Sequence, residues 1–323
     1  DNMFKVMKGI RSMLEASTAV KPEEHVLVIA DNDGGSTWIG QLVANVATEM
    51  GAEAVLAVIN PRDIIGQEPP TSVAVAMKSV NAIFRITESA ALVHGDARKE
   101  ATAAGARYYI MNPELAGDLE KGVSAEDLLV IKERTESVAQ RLTEASIANI
   151  TNPSGTKITM SLAGREGIAL NPMSQIVANF PDYAEAAIAP VEGTAEGIII
   201  ADLAIVQWKY LLREPLRLTV KAGKVVDISG CTQDADRLRK IAATDENAAN
   251  IAELGIGTSH TIPWEMHGTR RDAARIGTAH IAIGRSNDIG GETWSRIHYD
   301  CLMSQATVEL DGEYLLMEGT LLI

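Results

Sequence analysis

The chain has 323 residues, 46% of them hydrophobic and 22% charged, with a formal net charge of -14. It is long for one compact core, and two domains suit it better. The acidic balance argues against nucleic acid or an anionic membrane surface as the main partner, since both need basic patches. No run of about 18 uncharged apolar residues offers a transmembrane helix.

The chain begins with a helix-spaced apolar series, Met3, Val6, Met7, Ile10, Met13 and Leu14. That stretch carries charges and lacks the apolar block and cleavage site of a secretory signal. "HVLVIAD" (25–31) reads as a strand and "GSTWIGQLVANVATEMGA" (35–52) as a helix. Strands at 53–60, 82–87 and 107–112 then alternate with helices at 69–80, 95–106 and 124–146, the last capped by Ser124. Strands alternating with helices imply a parallel sheet covered on both faces. Gly34-Gly35 follows the first strand without a G-x-G-x-x-G fingerprint, and no P-loop is present. The first half is therefore expected to serve as a scaffold or lid.

The texture changes after about residue 148. "KITMSLAGREGIAL" (157–170) alternates and turns at Gly164 to Gly167, and 216–230 reads as a hairpin around Ala222-Gly223. Residues 234–257 read as a helix running into a short strand, and 280–284 and 306–322 complete a β-rich half. The expected fold is thus α/β: a parallel α/β domain over 1–150 and a β-rich, metal-binding domain over 151–323, with the boundary near 148–156. Cys231 and Cys301 are the only cysteines, which suits a reduced, cytoplasmic protein.

Four of the six histidines, His260, His267, His280 and His298, fall in the last 64 residues. Residues two apart on a strand share a face, so His298 and Asp300 of "HYD" can share one metal or proton site. A neutral nitrogen and an anionic oxygen suit Zn, Co, Mn or Fe. Glu253 stands among Ile251, Ala252, Leu254 and Ile256. A carboxylate in apolar surroundings calls for a cation, although an ordinary helix-end glutamate reads the same. Glu185 in "PDYAEAAIAP" is similar. His280 and His298 are expected on adjacent antiparallel strands, joined through Gly290-Gly291 and meeting at a metal with Glu253. Between these positions, His260, Trp264, His267, Arg270 and Arg271 are candidates to line a substrate pocket, an arginine suiting a substrate carboxylate. There is no Gly-x-Ser-x-Gly elbow.

"AELGIG", "HIAIG", "HYD" and "PDYAEAAIAP" together resemble the thermophilic aminopeptidases, aminopeptidase T and aminopeptidase S. The resemblance covers chiefly residues 150–323. It implies metal-ligand positions at Glu253, His280, His298, Asp300 and Glu185, an α/β domain before a β-rich catalytic one, and a homodimer. Arg275 stands where those peptidases have a further acidic ligand, and Asn287 where they have a catalytic tyrosine. A related branch, the 2,5-dihydroxypyridine dioxygenases, resembles "AELGIGTSH" and shares the H-x-D strand but has a histidine at the Glu253 position. His280, His298 and Asp300 are an alternative facial triad.

The leading expectation is a metal-dependent hydrolase of an amide or related C–N bond in a small-molecule or peptide substrate. It would use Zn, Co or Mn, with Glu185 or Glu253 taking a proton from water. The alternative is an Fe(II) ring-cleaving dioxygenase of a hydroxylated N-heterocycle, and a third reading is a non-catalytic remnant.

Overall fold

The computed structural model describes all residues except 1, 63–66, 89, 90, 94 and 113–118. Two compact units divide the chain, 1–132 with 170–182 and 133–169 with 183–323. The change of texture near 148–156 marks the first antiparallel strand and not the change of unit. The chain crosses between units three times, because the parallel sheet takes its fifth strand from residues after that point.

In the first unit α1 (Asn2–Ala16), β1 (His25–Asp31), α2 (Gly34–Glu49), β2 (Glu53–Ile59), α3 (Thr71–Met77), β3 (Ala82–Ile86), α4 (Asp96–Ala103) and β4 (Arg107–Met111) follow in order. The strands form one parallel sheet, β2-β1-β3-β4, extended beside β4 by residues 177–179. One apolar layer joins Ile10, Met13 and Leu14 of α1 to Val26, Val28 and Phe84 of the sheet. Another joins Leu27, Ile29 and Ile83 to Val73, Met77 and Ala101. Continuous apolar strands are the reason both faces are covered by helices.

Helix α5 (Ala125–Glu144) starts at Ser124, whose hydroxyl accepts the Asp127 N–H at 3.0 Å. Its later turns place Val138 and Leu142 in the core of the second unit. The strands that follow are β5 (Ile147–Thr151), β6 (Lys157–Ser161), β7 (Ile168–Leu170), β8 (Val177–Asn179), β9 (Glu185–Ile188), β10 (Glu196–Ala201) and β11 (Ala204–Ile205). Then come β12 (Leu216–Lys221), β13 (Lys224–Ser229), α6 (Gln233–Ala242), β14 (Ile251–Gly257), α7 (Arg270–Ala274), β15 (Ala279–Gly284) and β16 (His298–Met303). The chain ends with β17 (Thr307–Leu310), β18 (Glu313–Met317) and β19 (Thr320–Leu321). Two antiparallel sheets result, ordered β13-β12-β10-β6-β5-β17-β18-β19 and β11-β16-β15-β14-β9-β7. Ile158, Ile199 and Leu218 of the first share one core with Leu254, Ile281, Ile283 and Cys301 of the second.

The hairpin at Ala222-Gly223 forms as expected, both residues having positive φ (48° and 74°). Two expectations change. β6 and β7 turn at Gly164 but belong to different sheets, because β6 pairs with β5 and β10. The helix expected at the start of 234–257 ends at Ala242 and the strand it runs into is β14, so Glu253 is a strand residue and not a helix-end glutamate. That strand is buried along its whole length. Its apolar residues show no alternation to set it apart from a buried helix. Among the described residues, no helix is long and apolar enough to cross a membrane.

Candidate metal centre

The six-stranded sheet has two unlike faces. Ile188, Leu254, Ile256, Ile281, Ile283 and Cys301 point into the shared core. Registers His280↔Gly255, Ala282↔Glu253, Ala282↔Asp300, Gly284↔His298 and Gly257↔Glu185 put the other residues of these strands on the opposite face. Glu185, Glu253, His280, His298 and Asp300 therefore share one face, supplied by four strands. The residues between them are small: Ala187, Gly255, Gly257, Ala282 and Gly284. A Cβ at Gly255 would fall inside the His280 ring. Ala282 is the partner of both Glu253 and Asp300, so these side chains lean together over a single methyl group.

Glu253 is the hub of the cluster. Its Oε2 lies 2.9 Å from His298 Nε2 and its Oε1 3.4 Å from His280 Nε2. Asp300 Oδ1 is 3.1 Å from His298 Nε2, and Glu185 Oε2 is 3.9 Å from His280 Nε2. Two overlapping triads follow, Glu185–Glu253–His280 and Glu253–His298–Asp300. His280 and His298 do lie on adjacent antiparallel strands, but His280 pairs with Leu302 and His298 with Gly284. His298 opens its strand, while His280 lies second in its own. The ligand atoms of His298 and Asp300 gather with Glu253 and not with His280, so the triad His280–His298–Asp300 is not the grouping that forms.

His298 Nδ1 lies 2.8 Å from the Arg285 carbonyl. A carbonyl only accepts, so Nδ1–H donates; once Nε2 gives up the proton it holds toward Glu253 and Asp300, the neutral ring presents that nitrogen's lone pair to the cluster. The electrostatics are tightly coupled. Burial opposes ionisation of Glu253, but hydrogen bonds from both imidazoles outweigh it and hold the carboxyl down at about 2. Asp300 is pushed below the usual range in the same way by His298, His280 and Arg270. Burial pushes Glu185 up, with Glu253 and Asp300 adding to it and His280 and Arg270 opposing. Burial also works against charge on His280, yet Glu253, Asp300 and Glu185 raise it to about 9.

These groups fit a divalent metal. Glu185 Oε2, His280 Nδ1 and Asp300 Oδ1 are buried without a hydrogen-bond partner. Buried polar atoms of that kind call for a partner the side chains do not supply. Three carboxylates with two imidazoles make a donor set suited to Zn, Co, Mn or Fe.

Of the expected pocket residues, Arg270 is the one whose charge reaches the cluster. It lies beside Glu185 and Asp300 electrically, and its guanidinium stands 4.4 Å over the Tyr183 ring. Burial works against the Arg270 charge, but Tyr183, Glu185 and Asp300 outweigh it and keep the guanidinium protonated. His260 is exposed, with its Nδ1 3.0 Å from Arg134. Trp264 is 78% exposed and stacks on the buried Arg275 at 3.2 Å. His267 is exposed, and its backbone N–H donates to Asp272. Two residues escape the sequence reading. Buried Tyr183 was detectable two places before Glu185 in "PDYAE", whereas Gln207, hydrogen-bonded to Asp300 from 93 positions away, had no local signal.

No curated protein matches the chain. Among solved structures, 2,5-dihydroxypyridine dioxygenase from Pseudomonas putida KT2440 is similar at 15% identity and a TM-score of 0.81, covering 100% of this chain and 98% of that one. AmpT, aminopeptidase T from Thermus thermophilus, is similar at 16% and 0.67, covering 99% of each chain. At these identities both show the fold alone. The family model described as NicX: 2,5-dihydroxypyridine 5,6-dioxygenase matches residues 5–323. The resemblance to the aminopeptidases holds for the fold, and it is the related dioxygenase branch whose model spans the chain. The protein thus belongs to the 2,5-dihydroxypyridine 5,6-dioxygenase family.

Proposed function

We propose that the protein is a metal-dependent, ring-cleaving dioxygenase of a hydroxylated N-heterocycle. The reading is carried by a family match over 5–323 joined to a buried Glu253–His298–Asp300 triad on one sheet face. Fe(II) held there would supply the redox chemistry by which both atoms of O₂ enter a ring-opened product without an external reductant. Glu253 stands where relatives of this branch have a histidine, so the triad is one imidazole and two carboxylates. His298 is oriented through Arg285, and His280 stands against the other oxygen of Glu253, with Glu185 Oε2 3.9 Å from the same imidazole nitrogen. Arg270 would hold an anionic ring oxygen, because its charge is maintained beside Tyr183. Glu185, pushed up by burial, would carry the substrate's proton.

The test is anaerobic loading of the apoprotein with Fe(II), then 2,5-dihydroxypyridine with O₂ uptake recorded. Stoichiometric uptake with loss of the ring chromophore supports the proposal. No uptake with any hydroxypyridine would refute it.

One observation favours a second reading, a hydrolase of an amide or related C–N bond. The two oxygens of Glu253 face different histidines, as in a carboxylate shared by two ions. Arg275 and Asn287, in place of a carboxylate and a tyrosine, stand against it. Two Zn or Co ions per chain with peptide cleavage would support the hydrolase, and failure to take up any metal a non-catalytic remnant. A cytoplasmic homodimer completes the proposal, and sedimentation as a monomer would contradict its quaternary part.

A further inference from the structure

We propose that Gln207 is a positioning residue that decides which oxygen of Asp300 is offered to the metal; this rests on the metal-centre reading above. The observation is a double hydrogen bond. Gln207 Nε2 donates to Asp300 Oδ2 at 2.9 Å, and the Asp300 backbone N–H donates to Gln207 Oε1 at 2.9 Å.

The origin lies in the sheet edge. β11 pairs with β16 only through Ala204↔Leu302 and Ile205↔Cys301. Past Ile205 the chain leaves the ladder in a single 3₁₀ turn, Val206–Trp208. The Asp300 N–H, next along the edge of β16, then has no strand carbonyl opposite it. The Gln207 side-chain amide takes that place. Its carbonyl oxygen completes the ladder, and its NH₂ turns to the carboxylate of the same residue. One planar group thus grips Asp300 at the backbone and at the side chain.

The consequence is an unequal carboxylate. Oδ2 is occupied by the amide, while Oδ1 faces His298 Nε2 at 3.1 Å and has no hydrogen-bond partner of its own. The carboxylate is thereby fixed for ligation through Oδ1 alone. An amide suits this role because it both donates and accepts; a carboxylate cannot donate, and an aliphatic chain does neither. Such outer-shell partners orient ligating carboxylates, and losing one costs about 10–100-fold in metal affinity.

The experiment titrates full-length apoprotein with Co(II), following both the dissociation constant and the visible Co(II) absorption. Gln207→Leu removes the grip. Gln207→Glu keeps the size and the acceptor but puts an anion against Oδ2, and it serves if the leucine variant fails to fold. The expected result for either is a dissociation constant raised about 10–100-fold. A changed Co(II) band intensity should accompany it, because a released Asp300 can offer both oxygens and alter the coordination number. Asp300→Asn separates the two readings. If Asp300→Asn binds Co(II) like the wild type, the metal-centre reading falls. If Asp300→Asn loses Co(II) while both Gln207 variants keep the wild-type constant and spectrum, the positioning role falls and the metal centre stands. A weakened constant with an unchanged Co(II) spectrum would also overturn the positioning role.

Discussion

His298 and Glu253 touch, Nε2 to Oε2 at 2.9 Å, although their strands are not neighbours. β15 runs between them and contributes only the methyl group of Ala282 at that level. Strands lie about 4.8 Å apart, so donors on β14 and β16 meet only if the residue between them is small.

Ala282→Leu should therefore separate Glu253 from Asp300 and His298. Zn(II) or Co(II) affinity is expected to fall at least about tenfold, on the scale of lost metal-site support. Ile281→Ala, one residue away on the core face, is the contrast. It should cost about 2–5 kcal/mol of stability while leaving the affinity of the folded protein unchanged. Calorimetric titration and thermal melts of both variants check this; the same affinity loss in both would contradict the two-faced sheet.

Gly255→Ala places a methyl group where the His280 ring now lies. Overpacking of this kind costs about 1–3 kcal/mol. Here the flexible imidazole is the group that yields, so the contact between His280 and Glu253 should be lost. The imidazole NMR signals of the variant should show a normal histidine titration at His280. A raised His280 pKa unchanged from that of the wild type would refute the close approach.

His298→Ala and Asp300→Ala should each abolish metal binding and activity while the chain stays folded. His298 is half-buried and the Asp300 backbone remains in the β15 ladder. Far-UV circular dichroism with metal analysis tests it, and full activity in either variant would remove the site from β16.

The metal-free protein should be most stable in mildly acidic solution. His280 rises from 6.5 to about 9, so its contribution is complete below pH 6.5 and lost as pH climbs through about 9. Glu253 falls from 4.5 to about 2, so its contribution is complete above pH 4.5 and lost as pH drops through about 2. A maximum between about pH 4.5 and 6.5 follows. Zn(II) should add more stability as pH rises, since metal and proton compete for the same imidazoles. Melting temperatures measured with and without Zn(II) across this range decide it. A metal-free protein that gains stability from pH 6.5 to 9 would contradict the coupling.

Much was legible from local pattern alone. The alternation of apolar runs with 3.6-residue periodicity determined the parallel α/β unit, and the spacing of His298 and Asp300 determined that they share a face. Turn chemistry determined the Ala222-Gly223 hairpin. Those features depend on residues a few positions apart. The tertiary structure decided the rest. Glu253 became a strand residue and the hub because β14 pairs on both sides, with β9 and β15. Glu185 joined through its register with Gly257, and Gln207 reached Asp300 because β11 ends two residues into its pairing with β16. Strand order and register bring together residues more than a hundred positions apart, and a shift of one residue would turn every donor to the other face. Periodicity tells which residues of a strand point together; only the pairing tells which strands stand side by side.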